Sequence, residues 1–341
     1  MNKYFFVLLF PFCCLAQIPT YYNSIDFNQT GNNLKNQLST LITTTHTNEL
    51  VYTPEVWDAL KQSDLDPENT ENVFLIYGYN DTDTDDDNDR TRDKDLSCHS
   101  TSCAGLWVRE HVFPRSLGTP NLEYEGAGSD AHHLRAIDYD MNNDRGNNKF
   151  ADGSGNATVI SGGYFYPGDE WRGDIARMMM YMYLRYPTQC QALIVGSGSA
   201  TYSTDMPNIF LEWNEEDPVS QYEMNRNTVL QEMQGNRNPF IDNPYLATLI
   251  WNGPAAEDTW EMLSTQQHNL SSLRLYPTVT SGLVYTNSQE ENTYTVYNSL
   301  GQTVNAEIDE LTINLTNNAS GIYYIKVNNQ SSNKFFTIIK Q

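Results

Sequence analysis

The chain has 341 residues, 39% of them hydrophobic and 12% aromatic, which suits two domains with real cores. The formal net charge of −23 excludes a polyanion binder with a basic footprint over the whole chain. Beyond the N-terminus no apolar run approaches the ~20 residues that a membrane span needs.

Residues 1–16 read as a signal peptide. Lys3 gives a positive start, Tyr4 to Leu15 an apolar stretch, and Ala16-Gln17 a cleavage site. Cys13 and Cys14 fall inside it without a good lipobox, so export into an oxidising compartment is expected. Leu34, Leu38, Leu41 and Ile42 stand at helical spacing within 31–45, and Pro54, Trp57 and Leu60 suggest a second helix. Val73 to Tyr77 reads as a strand. Eight Asp then fall between Asp81 and Asp95. A calcium loop would want Gly at its sixth position and Glu at its twelfth, where Asp86 and Arg92 stand. A solvated acidic loop is the preferred reading, a weak calcium site the other. Cys98 and Cys103 close a small loop and are expected to form a disulfide, with free thiols as the alternative. A zinc site of Cys98, His99 and Cys103 lacks an evident fourth ligand.

The chemistry concentrates in Trp107 to Ser116 and in Ser129 to Asn147. The first reads as a strand carrying Glu110 and His111, the second as a turn and a helix bringing carboxamides to the same point. Neutral imidazole titrates near ~6.5 and can take a proton from water. A carboxylate and an amide oxygen suit Mg²⁺, which keeps several waters. Neighbours on a strand point to opposite faces, so convergence of Glu110 and His111 requires a strand end, and Pro114 is consistent with one. Further on, Asp174 to Arg185 reads as a buried helix with Met178, Met179 and Met182 in the core. Asp217-Pro218 is expected to open a helix ending before Gly235, and Asn243-Pro244 a short last one.

These blocks resemble the endonuclease I family of secreted or periplasmic nucleases. The matching residues are Arg109-Glu110-His111-Val112 with Pro114, Asp130-x-His132-His133-Leu134, Asn142-x-Asp144-Arg145-Gly146-Asn147 with Phe150, and Gly235 to Phe240. The resemblance spans roughly 21–245. It implies an α+β domain with a ββα-metal (His-Me finger) core. It also implies His111 as general base, and Glu110 and Asn142 as ligands of one Mg²⁺, with Mn²⁺ or Ca²⁺ as substitutes. Asn147 is the alternative helix ligand. Arg109, Arg145 and His133 are the expected substrate-binding residues, with Arg115 and Arg135 as further candidates for the phosphate. The family's His-Asn-Leu reads His132-His133-Leu134 here, so an orienting role of that Asn falls to His133.

Low patterning over 262–272 reads as a linker, with the nuclease domain over 17–261. From residue 273 to 341 short alternating runs punctuated by Gly and Asn read as a small all-β sandwich. Tyr276-Pro277, Val296-Tyr297-Asn298-x-Leu300-Gly301-Gln302, Ser320-Gly321-Ile322-Tyr323 and Lys340 resemble the type IX secretion sorting domain. Its implied partner is the type IX machinery, and the implied location is secreted or cell-surface. Between Cys98 and Arg185 eight basic residues face eleven acidic ones, so most of the negative charge lies outside the proposed site. The leading expectation is a metal-dependent, largely sequence-nonspecific endonuclease on DNA, with RNA as a second candidate substrate. The alternatives are a non-enzymatic secreted adhesin and a metal-dependent phosphatase.

Overall fold

A computed structural model describes residues 18–100, 102–262, 273–287, 292–309, 311–328 and 333–341. The signal peptide expected over 1–16, and the expected linker apart from Met262, lie outside them. The chain forms two compact units, divided in sequence between Trp260 and Glu261. Among the described residues no helix is long and apolar enough to cross a membrane.

In the first unit, α1 (Gly31–Thr44) buries Leu34, Leu38, Leu41 and Ile42, one helical face. Helix α2 (Glu55–Ser63) buries Val56, Trp57, Ala59 and Leu60. Strand β1 (Asn72–Phe74) pairs antiparallel with β2 (Thr91–Asp93). It is shorter than expected, because the chain turns at Tyr77, whose φ is 71°. The acidic loop lies between these two strands, and its carboxylates cap its own backbone. Asp81 accepts from Thr91 N at 2.9 Å, Asp83 from Asp85 N at 2.9 Å, and Asp85 from Asp87 N at 3.4 Å.

Strand β3 (Trp107–His111) pairs antiparallel with β4 (Leu134–Asp138), setting Glu110 opposite Arg135 and His111 opposite Leu134. Helix α3 (Tyr139–Arg145) follows at once, with the Asp138 carboxylate accepting from Asp140 N at 2.6 Å and Met141 N at 3.0 Å. The second block is therefore turn, strand and helix, not turn and helix. All five residues of β4 are buried, two of them charged, so it shows neither alternation nor a clean apolar run. Arg135 donates to Asp174 at 3.2 Å and Tyr222 at 2.7 Å, and Arg226 donates to Leu134 O at 2.6 Å. Paired burial of this kind avoids the several kcal/mol that an isolated buried ion costs, ~3–5 kcal/mol when one partner is removed.

Three short strands, β5 (Lys149–Phe150), β6 (Thr158–Ile160) and β7 (Tyr164–Tyr166), form a sheet in the order β5-β7-β6. Helix α4 (Arg172–Arg185) is buried over most of its length, and its methionines are core. It packs against α6 (Asn208–Glu216), which follows the single turn α5 (Ala192–Val195). Helix α7 (Gln221–Gln234) starts later than expected. Ser220 and Glu223 form a capping box, while Asp217 closes α6 and accepts from Gly173 N at 2.8 Å. Gly235 ends α7 at φ 93°, where a Cβ would lie 2.4 Å from Thr45 O. Two short helices, α8 (Pro239–Asp242) and α9 (Tyr245–Trp251), complete the unit.

The second unit is a sandwich of two four-stranded sheets. One sheet orders β12 (Glu307–Asp309), β13 (Thr312–Asn314), β10 (Leu283–Thr286) and β8 (Leu275–Tyr276). The other orders β11 (Thr293–Asn298), β14 (Gly321–Asn328), β15 (Asn333–Lys340) and β9 (Val279–Thr280). Alternate residues Tyr323, Ile325 and Val327 of β14 join Val284, Val296, Ile313 and Ile338 in its core.

Candidate active site

Strand β3 presents Glu110 and His111 to different neighbours, as period two requires. Glu110 is buried. Its Oε1 lies 3.1 Å from Arg145 Nε and accepts from the Tyr77 hydroxyl at 3.3 Å. Both side-chain contacts fall on that one oxygen. Burial raises the carboxyl above its ordinary range, and the Arg145 guanidinium opposes the shift.

His111 is the last residue of β3, and the strand ends there, as the Pro114 break suggested. Its Nε2 lies 2.9 Å from Gly128 O. A carbonyl only accepts, so Nε2 carries the proton and Nδ1 is left as the acceptor. The ring stacks on Tyr52 with centroids 5.5 Å apart and stands 5.6 Å from His133. Burial, and then the neighbouring His133, hold the imidazole well below its usual range, so it is neutral at physiological pH.

Asn142 lies on α3 one turn before Arg145, and positions three apart share a helix face. It therefore stands on the side of the helix that meets Glu110. Among the described residues its carboxamide has no hydrogen-bonding side-chain or backbone partner. Glu110 Oε2 and the Asn142 amide oxygen are hard oxygens of the kind that could hold a Mg²⁺ ion. Asn147 instead donates to Ser116 Oγ at 3.2 Å, outside the helix.

The expected substrate contacts divide. Arg109 is half-buried, its guanidinium 3.5 Å above the Tyr52 ring and 4.3 Å above Trp57, beside a cleft. Arg145 and His133 are fully buried, and their polar atoms face protein groups. Arg145 donates to Val112 O at 2.7 Å and Gly146 O at 2.8 Å, so it positions Glu110 and the end of β3. The His133 ring has Nε2 2.7 Å from Ala127 O, and burial lowers its pKa to about 4. Arg135 is likewise fully buried in its ion network and unavailable to a phosphate. Arg115 is half-buried and donates to Leu122 O at 2.8 Å.

Behind the site, Asp130 accepts from Tyr181 at 2.7 Å, Gln234 at 3.0 Å and His132 N at 3.0 Å. His132 Nε2 lies 3.2 Å from Asn236 O, which ties the turn before β4 to the Gly235–Phe240 loop. Tyr77 and Tyr52, which touch Glu110 and His111, were not anticipated. Nothing in their local sequence marks them, since each arrives from a distant segment. Cys98 and Cys103 are joined by a disulfide, while Cys190 is buried and free. The one described carboxylate cluster with metal-like spacing is Asp87, Asp138 and Asp140. Arg92 already pairs with Asp138, which also caps α3.

A strand pair that delivers a carboxylate and a neutral imidazole, followed directly by a helix with an unengaged carboxamide, is the frame of a hydrolytic site. Comparison with protein families gives its class: residues 30–245 match the Endonuclease I family, and residues 274–341 match the secretion system C-terminal sorting domain. The chain belongs to the Endonuclease I family. It is 38% identical over 249 residues to an extracellular ribonuclease of Bacillus subtilis (strain 168), covering 69% of this chain and 80% of that protein. An extracellular ribonuclease of Bacillus amyloliquefaciens is 37% identical over 249 residues, covering 69% of this chain and 79% of its own length. The chain is thus a nuclease, secreted or displayed at the cell surface, rather than a non-enzymatic adhesin.

Proposed function

We propose that the protein is a metal-dependent, largely sequence-nonspecific endonuclease that hydrolyses phosphodiester bonds in RNA and DNA. His111 is its general base, and Glu110 and Asn142 hold one divalent cation. The observation that carries this reading is the His111 ring, fixed through Nε2 on Gly128 O with a neutral Nδ1 left to accept a proton. A Mg²⁺ ion bound by Glu110 and Asn142 would neutralise charge on the scissile phosphate and the leaving oxygen. Glu110 stays an acceptor because Arg145 compensates its charge inside the protein. His111 takes the proton of the attacking water at Nδ1, while the Gly128 carbonyl stabilises the imidazolium that results. RNA is included because the similar extracellular proteins are named ribonucleases. No base-reading element is needed for such chemistry.

The test is cleavage of supercoiled plasmid and of RNA by the chain without residues 1–16, with Mg²⁺ and with EDTA. Cutting should require the metal, and His111→Ala should lower the rate ~10²-fold or more, the usual contribution of a positioned base. Metal-independent cutting, or an unchanged rate in His111→Ala, contradicts the assignment. A small phosphomonoester run beside the polymers separates a phosphatase from a nuclease.

A further inference from the structure

A ladder of rings and cations runs past His111. The Arg115 guanidinium lies 3.9 Å above Tyr124, and Tyr124 stands 4.7 Å from Tyr52. Tyr52 is stacked on His111 on one side and lies under Arg109, at 3.5 Å, on the other. Arg109 continues to Trp57 at 4.3 Å, whose ring stacks on His99 at 4.1 Å. Two open clefts flank this ladder and share Tyr52 and Thr53. One, of about 490 Å³, is lined by Leu50, Tyr124 and Gly126, the other, of about 290 Å³, by Trp57, His99 and Arg109.

We propose that this ladder is a base-stacking track for single-stranded nucleic acid. A base lies on the face of Tyr124 that Arg115 leaves open, and Arg109 and Arg115 hold the backbone on either side of His111. The exposure of Tyr124 supports the assignment, since this aromatic residue is 53% exposed and lines a cleft. Charge supports it too. Glu49 and Glu125 stand on the rim of the larger cleft, so the surface offers rings with two flanking cations and no basic groove. A duplex hides its base faces and presents phosphates, which such a surface holds poorly. A single strand offers a π-face at every base, worth ~1–3 kcal/mol per stacked base. The track accordingly selects unpaired segments and delivers the phosphate beside the stacked base to His111. The proposal rests on the reading of His111 as the base of a nuclease.

The experiment is fluorescence anisotropy of the whole chain with a labelled phosphorothioate strand and with its fully paired duplex, in EDTA and again with Mg²⁺. The strand should bind about tenfold more tightly than the duplex. Tyr124→Ala should weaken strand binding about tenfold and leave duplex binding within about twofold, while Tyr124→Phe retains the wild-type value. Equal binding of the two forms, or a Tyr124→Ala protein that binds the strand as wild type does, overturns the track. Wild-type protein that binds the strand selectively yet cuts no phosphodiester with Mg²⁺ overturns the nuclease reading and leaves the track standing.

Discussion

At the scale of single residues, the site works through environments more than through identities. Glu110 and His111 are ordinary groups made useful by burial and by their partners, Arg145 and Tyr77 for the one, the Gly128 carbonyl and Tyr52 for the other. If Glu110 and Asn142 are cation ligands, Glu110→Ala and Asn142→Ala each raise the Mg²⁺ concentration needed for half-maximal rate. Raised Mg²⁺ then restores part of the activity, because water replaces a lost oxygen ligand. The same titration on Asn147→Ala should match wild type, and the reverse outcome moves the ligand off α3. His133 gives a pH dependence of stability. It titrates at about 4 when folded, against ~6.5 when exposed. As pH falls below ~6.5 the unfolded chain takes up a proton that the folded chain refuses, so stability is lost down to about 4 and then levels. His133→Asn should remove part of that decline, read as a flatter plot of Tm against pH across this window. An unchanged slope would place the dependence elsewhere, His132 being next since burial also lowers it to about 4.

At the scale of elements, the β3–β4–α3 unit is closed by one side chain. Arg145, in the last turn of α3, reaches the carbonyl beyond β3 and the carboxylate within it. Arg145→Met leaves Glu110 buried without its partner and should lower the unfolding free energy by ~3 kcal/mol or more in urea titration. A change below ~1 kcal/mol would mean that Glu110 simply protonates or hydrates. The sequence showed the strand, the imidazole, the carboxylate and the helix asparagine, because those are contiguous patterns. It did not show the task of Arg145, which depends on α3 folding back over β3. Nor did it show Tyr77, held in a left-handed conformation that a tyrosine does not announce. Strand β4 escaped notice because its burial is complete and its charges are internally paired. The capping box at Ser220 was passed over because Asp217-Pro218 offered a competing start, which tertiary contacts spent on α4. Amphipathic α1 and the alternating strands of the sandwich were readable, since each buries a single face.

At the scale of the whole molecule, charge sets the response to salt. A basic nuclease loses affinity steeply as salt rises, because each phosphate contact releases counterions. Here the net charge is −23, and most of it lies outside residues 98–185 in the sequence. Added salt weakens the few phosphate contacts but also screens repulsion between the acidic body and the polymer. The screening length falls from ~30 Å at 0.01 M to ~8 Å at 0.15 M, so the longer-range repulsion is the larger loss. Initial rates at saturating Mg²⁺ should stay flat or rise between those ionic strengths, measured on linear duplex DNA. A steep fall from the lowest salt would reveal a concentrated cationic surface.

The pairing of Cys98 with Cys103 also bears on how the exported chain matures. The two thiols are separated by five positions, whereas Cys190 sits far along the chain. Closing a loop costs about 0.6 kcal/mol more for each doubling of its length, so an oxidant meeting the newly exported, unfolded polypeptide favours the local pair. Folding then buries Cys190, where it is out of reach of thiol exchange. The odd cysteine is thereby excluded twice, first by the statistics of chain encounters and then by the core.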